Sequence, residues 1–192
     1  DCVLQDIKLL ALFNRNGEKA TFNMNSGFFG HVDSLIREGR VVNHSHVRAD
    51  EVAELYKGHE VAVHTVTHPN LCQLPDCQVI DEVIQDRRNL EELVHYPVRG
   101  MAYPNAGITQ LSEGVTYPEI RQYLRELGIV YARTLGGDND RFELPNDWLA
   151  WMPTAHQENP RLFDWLRTFR EDGARSGPPR LFFLWGHSFE LE

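Results

Sequence analysis

The sequence is short of several things. Among its 192 residues there are three cysteines, Cys2, Cys72 and Cys77. An odd, small number excludes a disulfide framework of the kind that staples small secreted domains. Cys72 and Cys77 are separated by Gln-Leu-Pro-Asp rather than the two-residue gap of a zinc knuckle, and they read as unpaired thiols, with a local disulfide as the alternative. No segment reaches the apolar length of a membrane span. There is no arginine-rich arm, and 28 acidic against 19 basic residues give a net charge of −9. That balance excludes nucleic acid as a main partner, because polyanion binders carry a basic footprint. Repeats, low-complexity tracts and a visible leader are also missing. A cytoplasmic protein is the expectation, with secretion left open because the native N-terminus is not seen. The sequence sets no oligomeric state.

What is there is one domain, 1–192, in which helical and strand-like segments alternate. Val3 to Asn14 has helical spacing and ends at Asn16-Gly17. Lys19 to Met24 reads as a strand, and Phe28 to Val47 as a long loop. A short helix is predicted at Ala49 to Tyr56, a buried strand at Glu60 to Val63 and a long helix at Pro75 to Val94. A strand at Val98 to Tyr103, a helix at Tyr117 to Leu127 and a strand at Ile129 to Ala132 follow. Leu135 to Asn146 is turn-rich. A helix at Pro160 to Phe169, a loop at Gly173 to Pro179 and an apolar run at Leu181 to Trp185 complete the chain. Strands alternating with helices predict parallel strands with helices outside, as a barrel or an open α/β sheet. In either, chemistry gathers at the carboxyl ends of the strands. His64, the segment Tyr103 to Gly107, and His187 all fall at such ends.

The segment His64-Thr65-Val66-Thr67-His68, closed by Pro69, is the most informative. β-branched residues and the proline disfavour a helix there. A strand ending at His64 can curl so that both imidazoles face one point, which suits a divalent cation, zinc first. The residues alone leave two readings open: a metal pair, or two surface histidines beside a turn.

Four segments, in order, resemble the polysaccharide deacetylase family, the NodB homology fold also known as carbohydrate esterase family 4. Ala20-Thr21-Phe22, leading to Gly27, is similar to its Ala-Thr-Phe strand. His64 to His68 resembles its His-Ser/Thr-x-x-His metal motif, Tyr103-Pro104-Asn105-Ala106-Gly107 its third motif, and Leu184-Trp185-Gly186-His187 its last. The resemblance implies a distorted (β/α) barrel. It also implies a divalent metal, zinc foremost with Co²⁺, Ni²⁺ or Mn²⁺ as alternatives, held by Asp1, His64 and His68. The family opens with Phe-Asp-Asp-Gly, its first Asp the base and its second a ligand. The register that puts Asp1 on the second Asp leaves the base, and the strand carrying it, before residue 1.

His187 is then the acid that protonates the leaving group. A backbone N–H near Asn105 would bind the oxyanion. Arg99 is the candidate for the guanidinium that the third motif lacks, since Ala102 stands in the arginine's place. Tyr103, Asn105, Trp151 and His156 are the candidate substrate residues, and Trp148 and Trp185 could also stack on sugars. Plainer readings stand beside these: a frayed end for Asp1, core packing for Tyr103 and the tryptophans, a core histidine for His187, a helix ion pair for Arg99, and a loop position for His156. The implied reaction is deacetylation of a carbohydrate. Hydrolysis of another C–N bond, as in a cyclic imide or ureide, and a non-catalytic metal- or sugar-binding module are the alternatives.

Overall fold

The computed structural model describes residues 1–105, 117–135, 142–172 and 177–191. Helix α1 spans Asp6–Asn16 and stops where the sequence says it should. Gly17, at φ 72°, takes the left-handed cap and returns its N–H to Asn14 and Phe13. Strand β1 (Thr21–Met24) follows. The predicted loop from Phe28 to Val47 instead contains an antiparallel hairpin, β2 (Ser34–Arg37) and β3 (Arg40–Asn43), paired Leu35 to Val42 and Ile36 to Val41. Its alternation is weak because Ile36 and Val41 are both exposed, so the hairpin has no apolar face to read.

Helix α2 (Val52–Leu55) continues a 3₁₀ turn over Ala49–Glu51. Strand β4 (Glu60–Val63) leads to the histidine segment, and α3 (Asp76–Val94) starts after Pro75 and buries Val79, Val83 and Leu90. Then come β5 (Gly100–Ala102), α4 (Tyr117–Glu126), β6 (Tyr131–Arg133), β7 (Ala155–His156), α5 (Leu162–Asp172) and β8 (Leu184–Trp185). Only the last two residues of the apolar run 181–185 are strand. The predicted loop at 173–179 lies partly, and the third motif beyond Asn105 wholly, outside the described residues.

Four strands form one parallel sheet in the order β1-β4-β5-β6. Met24 pairs with Val63, Val63 with Met101, and Met101 with Ala132. Phe22, Met24, Val61, Val63, Met101 and Ala132 join the helices in the main core. The opposite face carries Thr21, Glu60 and Tyr131. The Glu60 carboxylate accepts from the Thr21 hydroxyl at 2.6 Å and from the Tyr131 phenol. Tyr131 lies over Gly100, where a Cβ would come within 2.2 Å of the phenol oxygen, so that position has room only for glycine. Beyond β6 the wall continues: Arg133 bridges Trp151 in parallel, and β7 pairs with β8. The expected barrel is present as this curved, parallel wall. No ladder joins β8 to β1 among the described residues, nor is any described helix long and apolar enough to cross a membrane. All three cysteines are free thiols, as read from their spacing.

Candidate functional site

The carboxyl ends of the strands bring together residues from both ends of the chain. The Asp1 amino group donates to the Asn23 carbonyl at 2.6 Å, which fixes the residue against β1. His64 leaves β4 with its N–H shared between the Met24 carbonyl and the Asp86 carboxylate, each at 3.0 Å. Its ring Nδ1 lies 2.8 Å from the Ala102 carbonyl. A carbonyl only accepts, so Nδ1 carries the proton and Nε2 is left bare. That Nε2 is 3.4 Å from Asp1 Oδ1, and His68 Nε2 is 3.9 Å from the same oxygen.

Asp1 Oδ1 is buried and hydrogen-bonded to nothing. An orphaned carboxylate oxygen facing the bare Nε2 of His64 and the Nε2 of His68 could hold a cation. The spacing agrees, since the edge of a tetrahedron with Zn–N and Zn–O bonds of ~2.0–2.2 Å is about 3.3 Å. Burial drives the pKa of His64 well below its ordinary value and that of His68 down to about 4, so both are neutral, as ligation requires. The backbone is bent to make this arrangement. Thr65, His68, Asn105 and Cys2 all have positive φ, between 52° and 72°. Such conformations are costly for residues other than glycine and persist where the surroundings fix them.

His187 stands on the other side of Asp1, its Nε2 3.9 Å from Oδ2. Its Nδ1 is 3.0 Å from Glu190 Oε1, and its N–H donates to Oε2 at 3.0 Å. Glu190 also takes the Gln157 amide at 2.8 Å and faces His156 Nε2 at 3.0 Å. Burial works to raise the Glu190 pKa, but the hydrogen bonds and charge of His187 outweigh it and hold the carboxyl down to about 2. His156 therefore belongs to the cluster that carries His187. Gly186 is packed so closely on Gln157 that a Cβ would lie 2.3 Å from its side chain.

The other candidates divide. Asn105 is at the rim and donates to the His68 carbonyl at 2.8 Å. Trp151 is half-buried at the end of β6, edge-on to Tyr131 and Phe183. Tyr103 is fully buried in the main core and donates to the Leu149 carbonyl at 2.8 Å, pointing away from the rim. Arg99 is exposed before the amino end of β5, at the opposite end of the strand from the cluster. The guanidinium in the wall is Arg133. It is buried, shares the inward face with Tyr131, lies 4.6 Å from the Trp185 ring, and bonds only weakly to the Thr134 carbonyl at 3.3 Å. It has no carboxylate partner among the described residues, and burial pushes its pKa down to about 10, so it keeps its charge at neutral pH.

Arg133 and Glu190 are the site residues that sequence reasoning missed. Arg133 carried a usable signal, a charge ending an apolar strand. Glu190 sits three residues after His187, on a 3₁₀ turn over Ser188–Leu191. His44, Phe189 and His187 form a ring-to-ring row, with centroids 5.1 and 5.0 Å apart.

The geometry has counterparts in known proteins. Streptococcus pyogenes deacetylase PplD, solved with acetate, is 18% identical with a TM-score of 0.55 over 72% of this chain and 54% of that one. IcaB from Ammonifex degensii is 16% identical, TM-score 0.61, over 88% of this chain and 69% of that one. A polysaccharide deacetylase from Bacillus cereus is 15% identical, TM-score 0.57, over 79% of this chain and 43% of that one. The chain thus spans about half the length of the first and less than half of the last. At these identities the likeness is one of fold. No match was found among curated proteins. The family model described as polysaccharide deacetylase matches residues 5–132, more than half of the sequence. By that match the chain belongs to the polysaccharide deacetylase family.

Proposed function

We propose that this chain is a metal-dependent hydrolase that removes N- or O-linked acetyl groups from a carbohydrate. The observation that carries the proposal is the orphaned Asp1 oxygen between His64 Nε2 and His68 Nε2, with His187 across from it on a Glu190 support. Asp1, His64 and His68 would hold zinc or a similar divalent cation. When bound, the ion polarises the acyl carbonyl and lowers the pKa of a coordinated water.

The chain's own residues supply the rest. His187 is within reach of the same region. Glu190 accepts from Nδ1–H, so Nε2 can take up a proton, and the resulting imidazolium would pass it from Nε2–H to the departing amine or alcohol. Asn105 lies against His68, where backbone N–H groups would meet a developing oxyanion. Arg133 places a permanent positive charge behind the site, in the role first sought at Arg99, and Trp151 and Trp185 offer ring faces to a sugar. No free carboxylate besides Asp1 stands at the metal position among the described residues. The base would be the carboxylate that the family's first motif carries one residue ahead of its ligand aspartate.

A second reading, a metal- or sugar-binding module without turnover, rests on the fact that no other Asp or Glu joins Asp1, His64 and His68 among the described residues. The decisive experiment extends the chain upstream with its encoded residues, loads zinc, and measures acetate release from N- and O-acetylated oligosaccharides. Release that disappears with chelator and returns with zinc is the expected result. Consumption of a cyclic imide without any acetate release would move the activity to another C–N bond. Oligosaccharide binding with neither reaction would leave the module.

A further inference from the structure

Helix α3 does more than pack the sheet. It presents two carboxylates one turn apart, Glu82 and Asp86, on the side that faces the histidine segment. Asp86 is fully buried, and its two oxygens each take a backbone N–H: Ser26 at 2.8 Å and His64 at 3.0 Å. Glu82 takes the Thr67 N–H at 2.9 Å and the Thr67 hydroxyl at 2.6 Å, while its own carbonyl takes the Val66 N–H at 3.2 Å. Three backbone N–H groups of the segment, those of His64, Val66 and Thr67, therefore hang from one helix.

The segment needs holding. Thr65 at φ 72° and His68 at φ 56° are both left-handed, one of them β-branched. Asn25 grips the other side, donating to the His64 and Thr65 carbonyls at 2.6 and 2.9 Å.

We infer that Asp86 and Glu82 are positioning residues for the metal: they fix the strained backbone between His64 and His68 so that both Nε2 atoms converge on Asp1. The inference rests on the metal reading given above. Neither carboxylate touches the ion or the substrate. They act through the peptide groups of the ligand-bearing segment, much as outer hydrogen bonds to ligands tune other metal sites.

The test measures zinc affinity by competition with a chelating dye, and the Co²⁺ absorption spectrum, on the whole chain. Glu82→Ala is expected to weaken zinc by about tenfold or more, the scale of losses when such supports are removed. The metal-free thermal midpoint should change little, because Glu82 is only half-buried. Glu82→Gln is expected to rescue affinity to within about threefold of the parent, since the amide oxygen still accepts from Thr67 N–H and the amide nitrogen can donate to the Thr67 hydroxyl. Asp86→Asn turns one of two acceptors into a donor facing an N–H. It should weaken zinc by about 10–100-fold and shift the Co²⁺ bands. Should Asp86→Asn fail to fold by circular dichroism, the Glu82 pair decides. A folded Glu82→Ala with parental zinc affinity and an unchanged Co²⁺ spectrum would overturn the inference. Equal losses in Glu82→Ala and Glu82→Gln would overturn it too, by assigning the effect to charge. A parent chain that binds no zinc would remove the metal reading itself.

Discussion

Glu190 shows how a single side chain can set the state of a site. It receives His187 through both ring and backbone, takes the Gln157 amide and faces His156, so its two oxygens are fully used. An amide there could not accept from all of these donors, and His187 would lose its fixed tautomer. Glu190→Gln should lower kcat by roughly 10–100-fold, within the range general acid catalysis supplies, with zinc affinity nearly unchanged. Steady-state kinetics beside a zinc titration would show the split. An equal loss of zinc would mean that Glu190 supports the metal instead. The His64–His68 spacing at a strand end was legible, because a histidine spacing closed by proline is local information. Arg99 was not a good reading for the missing guanidinium, because the direction in which a strand-end charge points depends on the twist of its neighbours. Arg133, one strand over, reaches the wall from the inward face of β6.

At the scale of elements, α1, α3 and the strands β1 and β4 follow from periodicity and caps. Gly17 and Pro75 end and begin helices for local reasons. The hairpin β2–β3 did not announce itself, since its Ile36 and Val41 point to solvent and leave no period to follow. Gly100 is a case the sequence could not flag. Its lack of a side chain is demanded by Tyr131, thirty-one positions later and paired with it in register. Gly100→Ala is expected to destabilise the fold by about 1–3 kcal/mol, the range for overpacking a filled site. Urea unfolding would measure it. The double variant Gly100→Ala, Tyr131→Ala should lose less than the sum of the two single variants, since the clash is with the phenol oxygen at 2.2 Å and the ring carbons at 2.3 and 2.7 Å.

For the molecule as a whole, the metal-free protein should be sensitive to acid. Burial lowers the pKa of His44 and His59, brings His46 and His68 to about 4, and takes His64 well below its ordinary value. The unfolded chain takes up these protons near pH 6.5, before the folded one does, so stability is complete above that pH and falls as pH drops from 6.5 to about 4. Asp86 works the other way: burial raises it to about 6, so the fold binds its proton first and gains stability between about pH 6 and 3.8. One carboxylate opposes five histidines, and the net expectation is a thermal midpoint that declines below pH 6.5. A midpoint that is flat from pH 7 to 4.5 in chelator would contradict it. Zinc should raise the midpoint at pH 7.5, by about 2.7 kcal/mol of stability when free metal stands at 100 times Kd. His64→Ala should abolish that rise.

The sequence by itself determined the alternation of strands and helices, the strand-end placement of His64 and His187, and the family, because these rest on local spacing and on motifs in order. The tertiary structure decided which residues meet. It set Asp1 beside histidines 63 and 67 positions away, put Glu190 behind His187, and turned Tyr103 into the core and Arg133 into the wall. The reason is physical. Hydrophobic period tells a residue which face it lies on, whereas convergence at a rim is set by the register and twist of parallel strands, which belong to the sheet and to no single segment.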